Sequence, residues 1–395
     1  MNVRARHGRL PRRGAVKPII AIVAGVLGVL FASTASVAAI AAWQIGSSFA
    51  PGVAIESEGE APPSIGPIEG PVNILLLGSD SGGGNVAAYG ERGENLNDVT
   101  ILLHISPDSN SAIAVSLPRD LYVPIKGCDD GNPGTRKINE ALTYGGIACA
   151  VSTVENLTGL NIEYAAKIEF DGVLAMSDAV GGVTVCVAEP IHDLQLKFDL
   201  EAGEHTLQGW TALQFLRSRH GVGDGSDTTR ISNQQLFLSA LMRKIKSEGT
   251  LTNPLTIYTL AKAAASNMQL STSLSSLDTM ASMALAVKNI PLANIAFVTY
   301  PSGATALNGV GGVAPRKGDA KILMDAIAAD AQIVVTGKPG GGAVAGDDVV
   351  ETPSPTPTGS ATPTIAPEGP TVVELPASIS GQQATEQTCT NGNTF

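Results

Sequence analysis

The chain has 395 residues, of which 44% are hydrophobic and only 15% charged, a length that fits one large domain or two ordinary ones. Its formal net charge is −11, yet residues 1–17 hold six basic side chains (Arg4, Arg6, Arg9, Arg12, Arg13, Lys17) and no acid; taking those six from −11 leaves −17 on the rest. A body this acidic excludes nucleic acid as a partner, since binding to a phosphate backbone requires a basic footprint.

Directly after the basic residues, Pro18–Trp43 runs for 26 residues without a charge. At ~1.5 Å per residue, a helix of that length exceeds the ~30 Å hydrocarbon core of a bilayer. The pattern predicts a transmembrane signal anchor over residues 18–43. The basic tail before it places the amino terminus in the cytoplasm and the rest of the chain outside. A cleaved signal peptide is the competing reading, because "ASTASVAAIAA" offers small-residue cleavage patterns. Both readings export the body. Residues 44–70, rich in Pro, Gly and Glu, read as a stem.

Residues 71–336 carry nearly all the periodic signal. Val72–Gly78, Val99–Ile105 and Ala112–Leu117 read as buried strands, as do "AAKIEF" and "GGVTVCV". Helices are expected at Ala148–Leu157, Asp171–Ala179, Gly209–Phe215, Asp227–Ser247, Pro254–Ala265 and Leu274–Val287, and "IAFVTY" closes the sheet. This alternation predicts an α/β fold, an α-β-α sandwich around a mixed central sheet, preceded by one transmembrane helix. Residues 337–370 are a Pro/Thr linker unable to bury a core, and 371–395 are a short tail. Cys128 and Cys149 flank a polar loop that a disulfide could close, worth ~3 kcal/mol. Cys186 reads as a buried strand residue, and Cys389, in the tail, has no readable partner. No Cys/His spacing suggests zinc.

In such sheets, sites gather where strands end. Asp80 follows "NILLL", Asp98 precedes "VTILLHI", and Arg119 and Asp120 follow "AIAVSL". Each is also an ordinary turn residue. Together, two carboxylates from neighbouring strands suit Mg²⁺, which takes oxygen ligands and leaves positions for a substrate phosphate. "LRSRHGVGDGSDTTRISNQQ" then gathers Arg217, Arg219 and Arg230. On an extended segment Arg217 and Arg219 share a face; on a helix begun at a capping Asp227, Arg230 shares one with Gln234. Solvated arginines paired with Asp224 and Asp227 are the plain alternative. A converging cluster calls for a di-anion such as pyrophosphate, held bidentately.

"NILLLGSDS", "DVTILLHISPDSNSAIAVSLPRDLYVPI", "KINEALTYGG", "TVENLTGLNI", "VGGVTVCV" and the arginine-rich run, in unbroken order over about residues 71–250, resemble the LytR–CpsA–Psr family of cell-wall enzymes. The resemblance implies an extracytoplasmic, Mg²⁺-assisted phosphotransferase. Such enzymes move a glycopolymer (teichoic acid, capsule or arabinogalactan) from a polyprenyl-pyrophosphate carrier onto peptidoglycan at the membrane lipid surface. It also implies Mg²⁺ on Asp80 and Asp98, and pyrophosphate contacts from Arg119, Arg217, Arg219 and Gln234, with Lys137 and Arg230 beside them. One position departs from the family pattern, and a second is variable in it. Leu96 stands where an arginine is usual, with Arg92 nearby, and Asn233 stands where an arginine or another polar residue is common. Catalysis is expected to be positioning and charge neutralisation by Asp98, Arg119, Arg217 and Arg219, with Asp98 or Asp120 accepting the proton. Two other readings use the same residues: a pyrophosphatase of the carrier lipid, with water as acceptor, and a non-catalytic binder of lipid or wall polymer.

Overall fold

The apolar run near the amino terminus forms helix α1, Val16–Gly46. Within it, Ile22–Ala41 has a mean hydropathy of 2.1 and is long and apolar enough to cross a membrane by length and composition. The computed structural model describes residues 16–47, 50–58, 70–80, 95–128, 131, 133–247, 254–346 and 371–393. The chain divides after Ser47, and everything discussed below belongs to the second unit, Ser48–Phe395.

That unit is built on a seven-stranded sheet. Its strands are β1 (Val72–Ser79), β2 (Asn97–Ile105), β3 (Ala112–Leu117), β6 (Tyr164–Ile168), β11 (Met268–Leu270), β12 (Ile295–Thr299) and β18 (Gly381–Gln383). They lie in the order β11-β6-β1-β2-β3-β12-β18. β1–β6 and β3–β12 pair parallel, while β1–β2, β2–β3, β6–β11 and β12–β18 pair antiparallel, so the sheet is mixed. Side chains alternate across a strand, and both faces here are apolar. Leu75, Leu77, Leu102 and Val115 face one core with α2 (Ala141–Thr158) and α8 (Lys317–Ala328). Ile74, Ile101, Ala114 and Phe297 face the other, with Met283 and Ile290 at α7 (Leu277–Asn289). Helices on both faces complete the α-β-α sandwich.

The remaining helices are α3 (Phe170–Ala179), α4 (Gly209–Arg217), α5 (Asp227–Ser247) and α6 (Pro254–Asn267). α5 has the expected ends. α2 starts earlier than expected, because a break at Gly145 and Gly146 separates its first turn from the rest. Glycine accommodates the positive φ of Gly146 without strain. The "GGVTVCV" strand, β7 (Val183–Val187), lies outside the main sheet. It joins β10 (Gly203–Leu207), β16 (Ala343–Ala345) and β19 (Thr388–Thr390) in a second sheet, ordered β10-β7-β19-β16.

The carboxyl-terminal segment, expected as a tail, folds back into the domain. It supplies β18 at the edge of the main sheet, so "IAFVTY" is not the closing strand, and it supplies β19 to the second. Cys389 finds a partner in Cys186. Cys186 is therefore a strand residue as expected, but half-buried and bonded rather than buried. The pair expected between Cys128 and Cys149 is present too. Two short pairs stand apart from both sheets, β4 (Tyr122–Ile125) with β5 (Gly134–Lys137) and β15 (Gln332–Val334) with β17 (Val372–Glu374). A hairpin of β13 (Ser302–Leu307) and β14 (Val310–Pro315), followed by α8, fills a region where no element was expected.

The two disulfides span 21 and 203 residues and close independent loops. Chain entropy assigns them about 3 and about 5 kcal/mol. Equilibrium denaturation should therefore show a larger loss for Cys186→Ala/Cys389→Ala than for Cys128→Ala/Cys149→Ala. Equal losses would mean that the carboxyl-terminal segment is not held to β7 in solution.

Candidate functional site

β1 and β2 run antiparallel, so the end of one meets the start of the other. Their register slips between Gly78 and Ser79, which pair with Val99 and Asn97 and leave Asp98 as the extra residue. Asp80, 7% exposed, follows β1 at the same edge. Arg119 and Asp120 leave β3, the next strand. The strand ends thus bring Asp98, Arg119 and Asp120 together, and the Asp98 and Asp120 carboxylates are engaged by cations.

Arg119 Nη1 donates to Asp98 Oδ1 at 2.5 Å. Arg230, 6% exposed, donates through Nη2 to the main-chain oxygen of Asp98 at 2.8 Å, with Nη1 3.8 Å from Asp98 Oδ2. Asp227 Oδ1 lies 2.7 Å from Arg230 Nη2 and 3.4 Å from Arg119 Nε. These two contacts are close ion pairs without hydrogen-bond alignment, so both Asp227 oxygens remain buried without a hydrogen bond. Lys137 Nζ donates to Asp120 Oδ1 at 2.8 Å, and Asp120 Oδ2 is 3.9 Å from Arg119 Nε. Three cations therefore face three carboxylates. Burial works against the charge of Arg119, but Asp98, Asp227 and Asp120 outweigh it and hold its pKa above the ordinary value.

Asp227 does not have the expected capping role. It begins α5 but turns to the arginines, while Ser226 Oγ accepts from Thr229 N at 3.4 Å. Asp224 is a turn residue, accepting from Ser226 N at 2.9 Å; hydrogen bonds from Ser226 lower its pKa. Arg217 ends α4 instead of lying on an extended segment, and the chain turns out of the helix at Ser218. Its guanidinium sits 4.4 Å above the Phe170 ring and donates to Gln214 Oε1 at 3.2 Å. Arg219 follows in the loop. The Nε atoms of Arg119, Arg219 and Arg230 are all buried with no hydrogen-bond partner. Gln234 donates to the Leu216 main-chain oxygen at 3.1 Å. Leu96 is half-buried, and Arg92 lies outside the described residues.

A cavity of about 360 Å³ adjoins this network. Asp98, Arg217, Arg230 and Gln234 form part of its wall, so Arg230 and Gln234 do share a face as α5 predicts. The rest is almost wholly apolar: Leu76 and Ile101 from the sheet, Phe170, Val173 and Met176 from α3, Leu213 and Leu216 from α4, Phe237 and Leu241 from α5. In the sequence these residues are indistinguishable from core, because an amphipathic stripe facing a cavity has the same period as one facing a neighbour.

Sequence reasoning missed one further residue. Asp193 ends β8 (Ile191–Asp193), which pairs with β9 (Phe198–Leu200), and is 1% exposed. Its Oδ2 accepts from Ser218 Oγ at 2.9 Å, Arg219 N at 3.2 Å and Gly221 N at 3.4 Å; its Oδ1 accepts from Gln195 N and Leu196 N, both at 3.2 Å. Burial alone would raise its pKa, but the bonds from Ser218 and the main-chain amides prevail and lower it. A depressed carboxyl contributes stability above its unfolded pKa and loses it as pH falls through the folded one. Asp193→Asn should therefore cost about 1–3 kcal/mol at pH 7, with the deficit shrinking below about pH 4. A deficit that stays constant with pH would show that the charge has no part in holding the loop.

The model of the LytR_cpsA_psr family matches residues 54–325. The probable cell wall biosynthesis protein LcpB of Corynebacterium glutamicum is 38% identical over 190 residues, 46% of this chain and 44% of that protein. The polyisoprenyl-teichoic acid–peptidoglycan teichoic acid transferase TagU of Oceanobacillus iheyensis is 35% identical over 187 residues, 46% and 53% of the two chains. The crystal structure of protein gbs0355 from Streptococcus agalactiae superposes with a TM-score of 0.56 at 26% identity, covering 66% of this chain and 88% of that one. The chain spans about half the length of the curated relatives it matches. With most of the second unit inside the family match, and the same fold in a solved neighbour, the chain belongs to the LytR_cpsA_psr family.

Proposed function

We propose that the protein is a membrane-anchored, extracytoplasmic phosphotransferase that moves a phosphoglycopolymer from a polyprenyl-pyrophosphate carrier onto peptidoglycan. The observation that carries this reading is the junction of an apolar cavity with the guanidinium groups of Arg217 and Arg230 in its wall, Arg230 keeping a buried Nε without a hydrogen bond. A ligand with a hydrocarbon tail and a di-anionic head matches both halves. A soluble phosphate would leave the apolar wall against water, and an uncharged lipid would leave the donors unmet. TagU, named as a teichoic acid transferase acting between a polyisoprenyl carrier and peptidoglycan, supports the same class. The apolar helix after a basic tail supports an anchor with its amino terminus inside, and the two disulfides suit an exported domain.

In this reading Arg119, Arg217, Arg219 and Arg230, with Gln234 and Lys137, surround the pyrophosphate and offset the charge that would repel an incoming hydroxyl. A hydroxyl of peptidoglycan attacks the phosphorus next to the polymer. A new phosphorus–oxygen bond forms, the bond to the bridging oxygen breaks, and polyprenyl phosphate departs along the cavity. The hydroxyl proton passes to Asp98 or Asp120. Asp80 and Asp98, hard oxygen donors at neighbouring strand ends, fit Mg²⁺ held jointly with substrate phosphates. No cluster of three or more metal-ligating side chains occurs among the described residues, so the ion's other ligands would be phosphate and water. Bound there, Mg²⁺ would neutralise pyrophosphate charge as it develops on the leaving group.

Transfer of labelled glycan from a polyprenyl-pyrophosphate donor to peptidoglycan tests the reading. Arg217→Ala should lower transfer by about 100-fold or more, with unfolding free energy changed by less than about 1 kcal/mol. Arg230→Ala should lose transfer and also cost about 3 kcal/mol, because Asp227 is left buried beside a lost cation. Undiminished transfer by Arg217→Ala would overturn the assignment, and release of free glycan phosphate instead of a peptidoglycan-linked product would make the protein a hydrolase. Asp98→Asn should keep weak lipid binding but lose its Mg²⁺ dependence, read by lipid affinity with and without the ion. A retained dependence would move the metal elsewhere.

A further inference from the structure

The family match ends at residue 325, yet the segment Thr371–Asn393 makes direct contact with the arginine loop. Strand β19 is drawn along β7, and the chain beyond it reaches the loop through its backbone. Gly223 N donates to Asn391 O at 2.9 Å, and Asn393 N donates to Gly221 O at 2.8 Å. Between them, a Cβ on Gly392 would lie 2.1 Å from Pro190 O and 2.2 Å from Glu189 O, so only glycine allows this approach. Asp193 holds the same loop through Ser218, Arg219 and Gly221. The loop that carries Arg219 is therefore held by Asp193 at Arg219 and by the carboxyl-terminal segment at Gly221 and Gly223.

A side-chain relay reinforces the clamp. Thr390 Oγ1 donates to Asn233 Oδ1 at 2.6 Å, and Asn233 Nδ2 donates to Phe215 O at 2.8 Å, two residues before Arg217. Thr390 and Asn233 are both fully buried. Asn233 thus offers one acceptor to Thr390 and one donor to α4.

We propose that the carboxyl-terminal segment is a positioning element for the arginine site, with Thr390 acting through Asn233 to fix the end of α4, which carries Arg217, and the turn after it, which carries Arg219. Its ligand is the pyrophosphate of the preceding section, so this inference rests on that reading for the binding measurement but not for the loop's order. Fixing the loop before the anion arrives removes an ordering cost from binding. The segment is pinned by Cys186–Cys389, which keeps Thr390 in register with β7.

Thr390→Val keeps the shape and removes the donor; Thr390→Ser restores it. Three measurements on the full-length protein decide the matter: amide hydrogen exchange across residues 216–223, affinity for inorganic pyrophosphate, and melting temperature. Thr390→Val should speed exchange in that segment and weaken pyrophosphate binding about five- to tenfold at temperatures where the fold is intact. Thr390→Ser should reverse both. A lower melting temperature with unchanged loop exchange or unchanged affinity would make Thr390 a structural residue only and overturn the proposal. If the unmutated protein fails to bind pyrophosphate, the functional reading falls, and loop exchange alone then decides whether the segment positions the arginines.

Discussion

Everything at this site depends on keeping several guanidinium groups close together and out of water. Desolvated like charges repel strongly, since their interaction grows as the effective dielectric falls. The chain meets the cost by interleaving. Asp98 from the sheet and Asp227 from the start of α5 each touch both Arg119 and Arg230, and Asp120 takes Lys137. That requirement fixes much else. β2 must bulge to present Asp98, α5 must begin at Asp227 rather than cap with it, and Arg230 must lie one turn along.

The balance is incomplete where an anion would sit. Hydrogen bonds from the network stop short of three Nε atoms, and the buried Asp227 oxygens are paired by charge but not by alignment. Buried polar groups are ordinarily satisfied, and unsatisfied ones concentrate where something binds. Arginine suits this role better than lysine because its planar fork stays charged and can contact two phosphate oxygens together. The apolar walls beside it complete the logic: the hydrocarbon that excludes water also strengthens each charge–charge contact at the head of the cavity.

Much of this was legible in the sequence, for physical reasons that differ by residue. Strand ends betray themselves through polar residues abutting apolar runs, which located Asp80, Asp98, Arg119 and Asp120. The ends of α5 were readable because glycines precede it and apolar residues recur at helical spacing. Charge partners were not readable, because they depend on how strands and helices meet; Asp227 read as a cap, and Asp193 as nothing at all. The pairing of Cys186 with Cys389 spans 203 residues and leaves no local trace. The same holds for the carboxyl-terminal segment, whose short strands follow a Pro/Thr linker and look like a tail until their backbone bonds are traced. α8 is a different case: Leu323 and Ile327, four apart and buried, carry a helical signal of their own.

The central claim is that one ligand spans the arginine cluster and the apolar cavity. The most direct measurement is a crystal structure of the protein purified from bacterial membranes, with its bound lipid identified by mass spectrometry. The account predicts a polyprenyl phosphate or pyrophosphate whose phosphates contact Arg217 and Arg230 and whose chain lies against Phe170, Leu213 and Phe237. A lipid bound with its phosphates away from the arginines, or an arginine cluster that holds a phosphate while the cavity takes no hydrocarbon, would contradict it.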